Sequence, residues 1–101
     1  MSAGEANALL IYALKVPFPS PFNDNTAIYY YLAKPEKVSL KVYDQTGRVV
    51  RTLENGIKDA DMCYLNWNGV NNNNRKVVTG VYFTRFSSEE FTSTKKVIFV
   101  G

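Results

Sequence analysis

Residues Lys37 to Leu53 read KVSLKVYDQTGRVVRTL, two apolar-alternating runs separated by a four-residue turn signal. Val38, Leu40 and Val42 fall on one side of an extended chain, and Lys37, Ser39 and Lys41 on the other, because successive strand side chains point to opposite faces. That alternation predicts a strand with one face in a core and the other in water. Asp44-Gln45-Thr46-Gly47 predicts a tight turn, since Asp is favoured at its start and Gly47 can take positive φ. Arg48 to Leu53 follows as a short strand, which Asn55-Gly56 is expected to end.

The same period recurs on either side of this stretch. Thr26 to Leu32 places Ile28, Tyr30 and Leu32 on a core face against Ala27, Tyr29 and Tyr31. Beyond a loop from Ile57 to Ala60, Cys63, Leu65 and Trp67 share one face, and Asn68-Gly69 ends that strand. Asn71 to Asn74 (NNNN) reads as a turn, its side chains able to bond nearby backbone and to tolerate left-handed conformations. After Thr79-Gly80, Val81 to Phe86 alternates Tyr82, Thr84 and Phe86 against Val81, Phe83 and Arg85. A turn around Ser87 to Glu90 leads into Phe91 to Val100, whose terminal VIFV is apolar on both faces and predicts either a centrally covered strand or a bulge. About seven short strands at regular spacing indicate an all-β sandwich of two antiparallel sheets, with a closed barrel as the alternative.

The 101 residues are one domain's worth, and 46% hydrophobic with 21% charged residues is the composition of a globular chain. The net charge is +3, but the cations are scattered as singles and pairs, as at Arg48, Arg51, Arg75-Lys76 and Lys95-Lys96. Scatter of that kind indicates a solvated surface with no nucleic-acid groove. Ala8 to Leu14 (ALLIYAL) is the longest apolar stretch, far short of the roughly 20 residues of a spanning helix. Nothing basic precedes it and no small-residue cleavage site follows, so it is a poor secretory signal.

An ordered series of motifs carries a family resemblance. Val16-Pro17-Phe18-Pro19-Ser20-Pro21-Phe22-Asn23, with Thr26, Ile28, Tyr30 and Leu32, resembles the "YPNPFNPSTTIRYSL" opening of FlgD-like immunoglobulin-type domains and of type A C-terminal sorting domains of the type IX secretion system. Val38 to Leu53 is similar to "VSLRVYDVLGREVATL", Trp67-Asn68-Gly69 to "WDG", Thr79 to Phe83 to "SGVYF", and Thr94 to Ile98, with Lys96, to "TRKMVLL". Ser20, Asn68 and Asn74 depart from the family's usual Asn, Asp and Gly. The resemblance spans about Tyr12 to Val100 and implies an immunoglobulin-like sandwich used as a non-enzymatic extracellular or cell-surface assembly module, with protein partners. Its motif positions are Pro17, Pro19, Pro21, Phe22, Gly47, Trp67, Gly69, Gly80, Tyr82 and Lys96. Proline cannot donate to a ladder, so Pro17, Pro19 and Pro21 suit an edge-hugging segment that crosses between sheets, with Phe18 and Phe22 as apolar anchors.

Catalytic chemistry finds little support. The chain has no histidine, which removes Ser/His/Asp and Cys/His catalysis. Cys63 is a lone thiol in a packing position, and zinc would have no other soft ligand. Asp59 and Asp61 lack the ligand count of a calcium loop, and no two carboxylates are singled out as a glycosidase pair. No enzyme, cofactor or metal is expected. Tyr29, Tyr30 and Tyr31 raise carbohydrate stacking as a weaker reading, because aromatics are also favourable strand residues.

One stretch lies outside the family pattern. Residues 1–11 form an apolar N-terminal extension ahead of a domain at 12–101, and Leu9, Leu10, Ile11, Tyr12 and Leu14 suit strand addition to a neighbouring copy. A contact of that kind that does not close would propagate into a filament. The alternative is that Tyr12 to Val16 is this domain's own first strand and the residues before it a frayed terminus.

Overall fold

The structure, a computed structural model, describes residues 14–89 and 91–101. Six strands follow in order: β1 (Thr26–Leu32), β2 (Glu36–Tyr43), β3 (Val49–Lys58), β4 (Asp61–Trp67), β5 (Gly80–Ser87) and β6 (Thr92–Phe99). β1 and β4 form one antiparallel sheet, and the other runs β3-β2-β5-β6, also antiparallel throughout. The two pack as a sandwich, the first of the two architectures the alternation allowed.

The core is assembled from the faces the alternation marked. Ile28, Tyr30 and Leu32 from β1, Val38, Leu40 and Val42 from β2, and Tyr82 and Phe86 from β5 are all buried, with Trp67, Val97 and Phe99. Cys63 and Leu65 pack half-buried against them. Burial of side chains this large contributes about 1.5–3 kcal/mol each for the aliphatic and phenyl members. Trp67 is the hub: its ring meets Tyr82 at 5.4 Å edge-on and Phe22 at 5.4 Å, and its indole N–H donates to the Val70 carbonyl at 2.9 Å.

Six strands stand where about seven were expected, because the proline segment makes bridges without making a ladder. Leu14 bridges Tyr30 and Phe18 bridges Ala27, both on the free edge of β1, and Phe22 then bridges Phe99 of β6 in parallel. The segment therefore leaves one sheet and joins the other, as three residues without an N–H require. Thr26 locks the crossing by donating its hydroxyl to the Pro19 carbonyl at 2.8 Å. Phe22 is buried, but Phe18 is 76% exposed and does not anchor anything: its pairing with Ala27 puts it on the outward face of β1.

Two strand boundaries also differ from expectation. β3 does not stop at Asn55-Gly56; it pairs with β2 through Ser39↔Asn55, Val38↔Gly56 and on to Glu36↔Lys58. A long partner strand overrides the local turn signal, and only residues 59–60 remain to connect β3 with β4. The terminal VIFV belongs to an edge strand, and β6 keeps unbroken register with β5. Its apolar end is covered locally: Phe22 donates to Ile98 O at 3.0 Å, Val100 donates to Phe22 O at 2.8 Å, and Ile98 N–H donates to Ser20 Oγ at 3.0 Å.

Candidate interaction surfaces

The motif residues serve two turns, one close approach and one crossing. In the first turn Asp44 Oδ1 accepts from the amides of Thr46 (2.9 Å) and Arg48 (3.1 Å), while Gly47 takes φ 88°. In the second, Asn71 Oδ1 accepts from the amides of Asn73 (2.9 Å) and Arg75 (3.1 Å), while Asn74 takes φ 65°. The backbone bonds repeat as well, Asp44 N to Arg48 O and Asn71 N to Arg75 O. NNNNR is thus DQTGR in another sequence, an Asx-capped turn with a left-handed fourth residue.

Asn72 joins the second turn to the sheet: its N–H donates to Val50 O at 3.0 Å and its Oδ1 accepts from Thr52 N at 3.0 Å. The two turns flank an open depression lined by Asp44, Arg48, Asn72, Val78 and Tyr82 among others. Tyr82 closes its floor by donating its hydroxyl to Val78 O at 2.6 Å. Burial, with Asp44 nearby, raises the Tyr82 hydroxyl's pKa. The Asp44 carboxyl is held below its ordinary value, first by the Thr46 hydroxyl and then by the Arg48 amide.

Gly69 (φ 75°) marks the close approach: a β-carbon there would lie 2.5 Å from Phe99 Cε1. The Trp67-Asn68-Gly69 motif therefore sets a buried indole and lets the chain turn over the Phe99 ring. Pro17 and Phe22 are buried and Pro19 and Pro21 exposed along the crossing, Gly80 opens β5, and Lys96 stands exposed on β6. Leu14 is buried in this chain's own core through its bridge to Tyr30, whereas Leu9, Leu10, Ile11 and Tyr12 lie outside the described residues. Sequence reasoning did not single out the outward face of the β1–β4 sheet. Its β1 and β4 positions are Ala27, Tyr29, Tyr31, Met62, Tyr64 and Asn66, none of them charged. Tyr29 and Tyr64 stack at 5.3 Å, and Tyr64 is 57% and Met62 48% exposed, while the exposed Phe18 lies on the other side of β1, opposite Ala27.

Residues 22–90 match the family model of the FlgD Ig-like domain. The chain belongs to the FlgD Ig-like domain family. Among solved structures, the domain resembles PorZ, an essential bacterial surface component of the type IX secretion system of Porphyromonas gingivalis, at 18% identity and TM-score 0.63. The match covers 99% of this chain and 12% of PorZ, so this FlgD Ig-like domain has the extent of a small part of that protein. It is also similar to FlgD from Xanthomonas campestris, a protein of flagellar hook capping, at 16% identity and TM-score 0.59, over 93% of this chain and 71% of that one. Identities this low show a shared sandwich. No curated protein matches the chain in sequence. Among the described residues no group of three or more Cys, Asp or Glu is placed to hold a metal ion, and no helix is long and apolar enough to cross a membrane.

Proposed function

We propose that this FlgD Ig-like domain is a non-enzymatic assembly module at the cell surface or outside the cell, and that it docks protein partners through the outward face of its β1–β4 sheet. The observation that carries the reading is the chemistry of that face: Phe18, Tyr29, Met62 and Tyr64 are exposed there, and its strand positions are free of charge. Contiguous apolar surface is uncommon on soluble monomers and marks sites of protein contact. Sugar stacking is less favoured, because Tyr29 and Tyr64 turn ring faces toward each other at an interplanar angle of 24°. The likeness to PorZ supports a role in surface attachment or secretion, and the likeness to FlgD one in building an extracellular assembly.

The test is to fuse the domain behind a secreted reporter in a host with type IX secretion. The expected result is reporter on the cell surface, lost when Phe18 and Tyr64 are both replaced by Ser in a variant that still folds. Retention of the unmodified fusion in the periplasm would remove the secretion role, and unchanged display of the double variant would remove the face.

A second reading is polymerisation by N-terminal strand addition. Among the described residues β4 pairs on one side only, with β1, which leaves an edge able to accept Leu9 to Tyr12 of a neighbour. Sedimentation and electron microscopy of the chain with and without residues 1–10 test it. Filaments that vanish on truncation are expected, and a monomer at high concentration in both cases rules the reading out.

A further inference from the structure

The cations that lie far apart in the sequence meet on the opposite side of the molecule. In the four-stranded sheet the outward residues are paired across strands: Lys41 stands directly opposite Arg85, Tyr43 opposite Phe83, and Phe83 opposite Lys96. Lys37 lies four residues before Lys41 on the same face of β2. No Asp or Glu occupies an outward position on any of the four strands, since Glu36 and Glu54 pair on the inward side with Lys58 and Leu40. Lys37, Arg85 and Lys96 are exposed, with Lys41, Tyr43 and Phe83 half-buried among them.

From strand rise and strand spacing, Lys37 to Lys96 is a diagonal stripe about 22 Å long, with Lys41 and Arg85 at its middle. Around its middle the outward positions bear hydroxyls, Ser39 opposite Ser87, Thr52 opposite Lys41 and Thr94 opposite Arg85, while Val49, Ile57, Val81 and Ile98 make the two ends of the face apolar. A single nucleic-acid strand carries one charge per roughly 3.4 Å, denser than this stripe, whose four cations are spaced by about 14, 5 and 8 Å. The Tyr43–Phe83 pair offers apolar ring surface beside those cations, and flanking hydroxyls match the hydroxyls of a sugar.

We propose that this face binds a carboxylated polysaccharide, with Lys37, Lys41, Arg85 and Lys96 holding carboxylates at unequal intervals along the chain and Tyr43 and Phe83 lying against sugar C–H faces. The site is on the other sheet from the protein-docking face and does not depend on it.

The test uses the whole chain with polygalacturonate as probe at about 0.15 M ionic strength, where weak unspecific attraction is largely screened. Retardation in affinity electrophoresis is expected, with amide shifts of the labelled protein confined to β2, β5 and β6. Neutral dextran should not retard it. Lys41→Glu with Arg85→Glu should weaken binding roughly tenfold or more, and Lys15→Glu with Arg75→Glu, an equal charge change off the face, by less than about twofold. Equal losses in the two variants would reduce the effect to net charge. Absent binding, shifts spread over the β1–β4 sheet, or tighter binding to single-stranded poly(dT) or to anionic phosphatidylglycerol vesicles would each overturn the proposal. The shift map of the unmodified chain decides the matter if the charge reversals impair folding.

Discussion

Asn74 occupies in its turn the place that Gly47 occupies in the other. Each is the left-handed residue, with φ 65° and 88°, and each precedes an arginine whose amide donates to the Asx side chain that opened the turn. Asparagine is among the few side chains that enter this region at modest cost. Asn74→Gly is therefore expected to leave stability unchanged or raise it by a few tenths of a kcal/mol, whereas Asn74→Val should lower it by about 1–2 kcal/mol. Thermal and urea unfolding of the two variants check this.

Gly69 is constrained in two ways, by φ 75° and by the Phe99 ring 2.5 Å from where a β-carbon would sit. Phe99 is fully buried against Phe22 and Trp67, so it has little room to yield. Gly69→Ala should destabilise by about 2–4 kcal/mol, combining strain with overpacking. In a double-mutant cycle with Phe99→Leu the two losses should fall short of additive, and strict additivity would show that the ring is not the obstacle.

The acid limb of the stability curve should carry a mark of Asp44. Its carboxyl pKa is lowered in the folded chain, chiefly by the Thr46 hydroxyl at 2.6 Å and then by the Arg48 amide. A carboxyl that binds protons less readily when folded stabilises above its unfolded value of about 3.9, and that contribution is lost as pH falls through the lower folded value. Asp44→Asn, which gives the first turn the Asx residue of the second, should keep the turn and flatten stability below about pH 4. Urea midpoints from pH 2 to pH 6 would show it.

Tyr30 should act on the alkaline side. Its hydroxyl pKa is raised well above the ordinary value, first by burial and then by Cys63 and Glu54. Folding thus favours the protonated form: the contribution is whole below the unfolded value of about 10 and is lost as pH climbs from there toward the folded one. Tyr30→Phe should unfold less readily than the parent above about pH 10.5, and an unchanged alkaline limb would assign that loss to another group.

Alternation alone revealed the inward faces of β1, β2 and β5, because each is a strand with one wet side. The turn signal at Asn55-Gly56 misplaced the end of β3, which pairing with β2 carries further, and the apolar character of Phe18 suggested an anchor where a bridge to Ala27 turns it outward. The surfaces were the least legible. Lys37, Lys41, Arg85 and Lys96 look scattered until sheet order brings β2, β5 and β6 side by side, and Tyr29 meets Tyr64 only through the pairing of β1 with β4.

The parallel contact of Phe22 with the end of β6 has a mechanical meaning. Because the contact is parallel, a pull that draws Ser20 and Val100 apart along the strand axis loads the bonds of Ser20 and Phe22 to Ile98 and Val100 together. Bonds loaded in this sliding direction must break at once, whereas those of a hairpin peeled from its tip break one after another. Tension across the proline crossing and the end of β6 is therefore met by these bonds as a group.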